Sequence, residues 1–143
     1  MFVGYLSLLV AALFSGAAIY INFAEQPARL KLDDSSLLAQ WKLSYKRGFM
    51  MQAPLAVAGG LLGLVAWWTM GRSAFAIGGL LMIANIPWTL LCVMPTNRAL
   101  MQTEGAVSGP RTRALIIRWG GLHAVRSGLG VFATLAFLIA LSK

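Results

Sequence analysis

Histidine and cysteine occur once each in this 143-residue sequence, as His123 and Cys92. A single cysteine excludes an intramolecular disulfide, and with a single histidine it excludes a conventional zinc cluster. Cys92 itself reads as a small apolar filler. Charge is scarce too. Charged residues make up 11% of the chain, against about 25% in a soluble globular domain. Only four of them are Asp or Glu. An ordinary water-soluble enzyme fold is thereby excluded. There are no internal repeats, no low-complexity tracts and no stretch polar enough for a separate soluble domain, so residues 1–143 are expected to form a single domain.

What fills the space is apolar. Hydrophobic residues reach 59% and mean hydropathy is +0.75. Four apolar runs, at about residues 1–23, 50–70, 73–94 and 119–141, each approach the ~20 residues that cross a bilayer as helix. The sequence predicts an all-α fold, a four-transmembrane-helix bundle. The first run resembles a secretory leader at Phe14–Ala18, but it has no basic leading segment and is too long, so it is expected to be retained as a span. Small residues Ala12 and Gly16 in that run predict close helix contact, as do Gly59 and Gly63 in the second and Gly120, Ala124 and Gly128 in the fourth.

The net charge of +8 raises nucleic acid as a partner, and its placement argues against it. Arg29, Lys31, Lys42, Lys46 and Arg47 lie between runs one and two, and Arg98, Arg111, Arg113 and Arg118 between runs three and four. Only Arg72 and Lys143 lie at the other end. Aromatic residues do not alternate with these cations as a nucleic-acid platform requires. The asymmetry is the positive-inside pattern: both long loops cytoplasmic, both termini outside, in an integral plasma (inner) membrane protein in contact with lipid.

Between runs one and two, Pro27 is expected to stop the first helix, and Asp34 or Ser35 to cap the next. Leu37, Leu38, Trp41 and Tyr45 then recur at helical spacing among polar residues. They predict an amphipathic interfacial helix that lies on the membrane surface or leads straight into the second span. After Pro95, Thr96 is expected to cap a short separate helix.

The chemistry-bearing residues gather toward one end. Trp119, His123, Arg126 and Gly130 share one stripe of a helix at about 100° per residue. An ionisable pair embedded in an apolar run faces a bundle interior or a wet cavity, and marks a site; the alternative is an arginine that snorkels toward lipid phosphates. Asn22, Glu25, Gln52, Asn85, Thr89 and Asn97 fall in the same half of the predicted bundle, which implies a cavity opening toward the cytoplasm or its leaflet. Glu25 reads equally as an interface carboxylate paired with Arg29 or Lys31.

Several of these pieces together resemble one family. Asn22-Phe-Ala-Glu-Gln-Pro-Ala-Arg29, the spacing Trp41…Tyr45…Met51-Gln52, Ile86-Pro-Trp-Thr89 with Met94-Pro-Thr-Asn-Arg98, and Trp119-Gly-Gly-Leu-His-Ala-Val-Arg126 are similar to the DUF1772, or anthrone oxygenase-like, membrane proteins. The resemblance implies oxidation of an anthrone to an anthraquinone by O2 without an evident cofactor. On that reading His123, Arg126 and Glu25 are the catalytic candidates. Trp119, Asn85, Thr89, Asn97, Gln52, Trp41 and Tyr45 are candidates to bind a planar hydrophobic phenolic. No metal site is expected. The competing expectation is a non-catalytic or redox membrane protein that holds a quinone or a haem through His123, with a homo-oligomer left open.

Overall fold

A computed structural model describes residues 1–142; Lys143, one of the two cations assigned to the outer side, lies outside the described residues. Four long helices account for nearly everything: α1 (Phe2–Arg29), α2 (Asp34–Met70), α3 (Ser73–Gln102) and α4 (Pro110–Ser142). Each is long and apolar enough to cross a membrane, which makes this an all-α integral membrane protein.

The helices run antiparallel as a ring in which α1 packs on α2 and α4, and α3 on α2 and α4. Gly4 in α1 lies against Met70 at the end of α2, Phe75 at the start of α3 and Leu141 at the end of α4. Both described termini therefore share one end of the bundle with the α2–α3 turn. That turn is tight because Gly71 adopts φ +68°, a left-handed conformation that costs glycine little, and its N–H reaches Trp67 O at 2.7 Å. Arg72 then donates to the carbonyl of Ala140 at 2.6 Å, closing the end of α4.

At the opposite end the loops are pinned by polar contacts. Asp33 caps α2, accepting from the N–H groups of Ser35 and Ser36, so the cap falls one residue before the expected Asp34. Hydrogen bonds from Ser36 and Ser35 hold the Asp33 carboxyl below its usual range. Asp34 is engaged elsewhere, 2.6 Å from Arg113 Nε, while the same guanidinium donates to the carbonyls of Leu30 and Leu32.

Two helices extend further than their apolar runs. The amphipathic segment is the first part of α2 and runs into the second span without a break, the second of the two readings it allowed. Leu37, Leu38 and Trp41 are fully buried, so the apolar stripe docks into the bundle. α3 continues past Pro95 to Gln102, with Thr96 buried inside it and capping nothing.

Of the four prolines inside these helices, Pro27 and Pro95 are passed by the same device. A proline lacks the N–H that would bond four residues back. Ahead of Pro27 and Pro95 the helix widens into one π turn, at Ile21–Glu25 and Thr89–Val93, where Gln26 N–H reaches Ile21 O and Met94 N–H reaches Thr89 O. A π turn shifts the phase of the residues around it and is frequent at functional sites.

The interior divides into two apolar clusters. Ala11, Phe14, Phe75, Met82 and Phe137 form one near the termini. Leu37, Trp41, Val93, Leu100 and Ile116 form the other near the long loops. Close approach depends on glycine at α2 and α3: a Cβ at Gly63 would stand 2.6 Å from Phe137 Cζ and 2.9 Å from the backbone of Gly79. The seam expected at Ala12 and Gly16 faces outward instead, and a Cβ at Gly16 or Gly128 would meet nothing. On α4 the packed positions are Gly120, against Gln26, and Gly130, against Phe14 and Ser15.

Candidate functional site

Between the two apolar clusters lies a polar layer built by the two π turns and the middle of α4. The turn in α1 presents Asn22 to α4. Its Nδ2 donates to the Gly120 carbonyl at 2.9 Å, which orients the amide. Oδ1 therefore faces α4, where it accepts from Ser127 Oγ at 2.7 Å and sits 2.8 Å from His123 Nδ1. An amide oxygen only accepts, so the network assigns the proton to Nδ1 and leaves Nε2 with the lone pair. His123 is 1% exposed. Its ring stacks on Trp119 at 5.0 Å between centroids. A base-competent nitrogen with a fixed ring orientation is the result.

Aromatic rings continue the stack outward. Trp119 meets Trp41 edge-on at 5.7 Å, Trp41 lies parallel to Tyr45 at 5.0 Å, and Tyr45 leans toward Phe49 at 6.3 Å. Trp41, Tyr45 and Phe49 are four apart on α2, so one helical face supplies three of the five rings.

Two spaces meet at Arg126. One is a narrow cleft of about 20 Å³ lined by Tyr45, Gln52, Thr89, Asn97, Trp119, His123 and Arg126, among others. That is room for about one water-sized guest. The other is a chamber of about 200 Å³ between α2 and α3, whose lining includes Ala53, Ala56, Asn85, Ile86 and Leu90. Phe49, Thr89 and Arg126 line both. The Arg126 guanidinium carbon rests 5.6 Å from the Phe14 ring centroid.

Several buried polar atoms around these spaces have no hydrogen-bond partner. They are Gln52 Oε1 and Nε2, Asn85 Oδ1, Asn97 Oδ1, Trp119 Nε1 and Arg126 Nε. A buried polar group left unpaired costs about 1–3 kcal/mol, and hydrogen bonds from a polar-edged guest or from water would satisfy these atoms. Asn85 turns its Nδ2 back onto the carbonyls of Leu81 and Met82, leaving only the oxygen free.

The sequence-derived candidates are thus brought together with three qualifications. His123, Arg126, Trp119, Thr89, Asn97, Gln52 and Tyr45 share the cleft; Asn85 lines the chamber beside it; Trp41 backs the cleft through its rings. Glu25 lies apart, on an open groove between α1 and α2. There it pairs with Arg29 at 2.7 Å and accepts from Gln40 and Ser44. Arg29, its side chain 1% exposed, stands 5.5 Å from the Trp119 ring centroid. The ion pair reaches the site through that ring and through Ser44, which accepts from Arg29 at 3.2 Å, donates to Glu25 and lines the cleft.

Ser127 and Phe49 stand at the site without having been singled out from the sequence, and Asn22, grouped there with the polar residues of the same half, was not joined to His123. The available signal for Asn22 was its spacing to Gln26 and Arg29, one polar stripe at the end of an apolar span. Among the described residues, no group of three or more His, Cys, Asp or Glu is gathered closely enough to hold a metal ion.

The anthrone oxygenase family profile matches residues 41–136. Anthrone oxygenase AgnL2 of Paecilomyces divaricatus is 29% identical over 85% of this chain and 84% of its own length. Anthrone oxygenase gedH of Aspergillus terreus is 32% identical over 78% of this chain and 81% of its own. Anthrone oxygenase tpcL of Aspergillus fumigatus is 31% identical over 85% and 81% respectively. No solved structure matches the chain.

Proposed function

The chain belongs to the anthrone oxygenase family, and from that premise we propose that it oxidises a planar, anthrone-like phenolic with O2, using its own side chains and no cofactor. The observation that carries this reading is the Asn22–His123 pair beside the Arg126 cleft. It supplies one oriented, neutral imidazole at the edge of a narrow cleft of about 20 Å³.

The substrate makes a single base sufficient. The methylene of an anthrone lies between two aromatic rings and opposite a carbonyl, so loss of one proton gives a fully delocalised enolate. His123 Nε2 takes that proton, while Nδ1–H stays on Asn22 and stabilises the imidazolium. Arg126 faces the developing oxyanion, where a fixed charge in a low-dielectric pocket is worth most. The enolate transfers one electron to O2, and the resulting radical pair joins at the same carbon as a peroxide, which takes the proton back from His123. Removal of the second hydrogen from that carbon by His123 forms the new carbonyl as the O–O bond breaks. The departing hydroxide collects the proton as water. Anthrone and O2 thus become anthraquinone and H2O.

The other candidates hold the guest or the base. Gln52, Asn97 and Thr89 offer hydrogen bonds to the oxygenated edge of the ring system; Trp119 and Tyr45 offer flat faces, and Trp41 supports them from behind. Asn85 serves the adjoining chamber. Glu25 acts through Arg29, whose cation under the Trp119 ring fixes the plane on which His123 rests; it is a positioning residue. The cavity is assigned to the cytoplasmic half of the bundle, with both long loops cytoplasmic and both termini outside, because the cations concentrate at that end. One domain spans residues 1–143. The test is O2 consumption with formation of anthraquinone from anthrone by the purified protein. Failure of His123→Ala to lower turnover would remove the base assignment.

A further inference from the structure

The chamber between α2 and α3 has a mouth and a floor of different chemistry. Phe49, Val57, Ile86 and Leu90 are all exposed on the outer surface of the bundle, where a spanning helix meets acyl chains. The floor is Ala56, 2% exposed, and Asn85, 1% exposed, with Asn85 Oδ1 unpartnered. Arg126, its Nε also unpartnered, forms the inner wall and is shared with the His123 cleft. Apolar mouth, acceptor and guanidinium at the bottom: this order suits a flat apolar molecule that arrives oxygenated edge first.

We propose that this chamber is the access route and holding subsite through which the substrate reaches the site from the bilayer, without passing through water. The proposal rests on the oxidation of an anthrone-like ring system proposed above. A planar phenolic partitions into lipid because burial of its rings is favourable, by about 25 cal/mol per Å² of apolar surface. The chamber, at about 200 Å³, is ten times the volume of the cleft beside His123, so the body of the guest fits there and not against the imidazole. The Asn85 oxygen accepts from a ligand hydroxyl, and Arg126 donates to a ligand oxygen. Phe49 and Arg126 are the side chains that must swing aside for the reacting carbon to pass to Nε2. Once they have moved, the cleft admits the reacting edge of the ring system, with Gln52 and Asn97 beside it, together with O2.

Two features distinguish this from access through the loop end. Turnover in liposomes should follow the mole fraction of anthrone in lipid, so adding empty lipid at fixed total anthrone slows the reaction. A bulky residue at the mouth should obstruct it. Val57→Phe and Ala53→Phe, on the chamber wall, raise KM for anthrone about tenfold with kcat little changed, the pattern of lost binding common to ground and transition states. Leu61→Phe, one turn along the same outer face and outside the chamber, behaves as the wild type. Two wall variants guard against one that fails to fold. Wild-type KM in both folded wall variants, with rates that ignore added lipid, would overturn the proposal. Wild-type protein inert toward anthrone would instead sink the proposed reaction, and the chamber is then read by tryptophan quenching with 9,10-anthraquinone. Binding weakened by the wall variants but not by Leu61→Phe upholds the subsite, and equal binding in all of them rejects it.

Discussion

Replacing Asn22 with leucine removes a side chain of similar size together with three hydrogen bonds: to Gly120 O at 2.9 Å, His123 Nδ1 at 2.8 Å and Ser127 Oγ at 2.7 Å. Ser127 has a remedy, since a helical serine can turn back to the carbonyl four residues upstream, as Ser15 does to Ala11 at 2.7 Å. His123 has none on Nδ1, and a buried donor without an acceptor costs about 1–3 kcal/mol. That cost sets the expected loss of stability. The expected loss of turnover is larger in kind, because the imidazole is freed to rotate or to switch its proton to Nε2. Either change forfeits the about 10²–10⁴-fold contributed by a positioned base. The assay is steady-state O2 uptake with anthrone, alongside thermal unfolding in the same detergent. In Asn22→Leu kcat falls by about two orders of magnitude or more while KM changes little. Asn22→Asp keeps both acceptors, loses only the donor to Gly120, and recovers much of kcat. A purely structural Asn22 would make activity follow stability across both variants. Wild-type kcat in folded Asn22→Leu would refute the orientation argument.

Gly63→Ala forces a Cβ to within 2.6 Å of Phe137 and 2.9 Å of the Gly79 backbone, so thermal unfolding should show a loss of about 1–3 kcal/mol; Gly128→Ala, with nothing within 4 Å, should be neutral or stabilising. Equal effects at the two glycines would mean that the helices approach elsewhere. Arg126→Lys keeps a cation but not the planar fork and should lower kcat, with Arg126→Leu lower still; leucine matching wild-type turnover would remove the oxyanion role. Cysteine labelling should reach position 111 from the cytoplasm and position 72 from outside, and the reverse pattern would invert the proposed topology.

Much of the fold could be read from composition, because a bilayer demands long apolar helices whatever their detailed packing. Less readable were the places where a proline meets a helix. Pro27 and Pro95 read as stops, yet one π turn before each carries the helix onward, and that local widening has no sequence signature of its own. The same turns rephase the faces around them. This is why Asn22 was seen as polar without being joined to His123, a hundred and one residues away; Ala12 and Gly16, upstream of the turn, lie on the outward face of regular α-helix. The stripe of Trp119, His123 and Arg126 was legible since α4 runs through it as undistorted α-helix. For Glu25 the sequence left two readings open, a site carboxylate or a partner of Arg29 or Lys31, and the structure pairs it with Arg29, four residues on.

The central claim is that His123 Nε2 is the base for oxidation of an anthrone by O2. Its most direct test is O2 uptake and anthraquinone formation, measured together on purified wild type and His123→Ala with anthrone as substrate. The account predicts one O2 consumed per anthraquinone formed by the wild type. It further predicts near-background rates in a His123→Ala protein that remains folded. Wild-type rates in His123→Ala would contradict it.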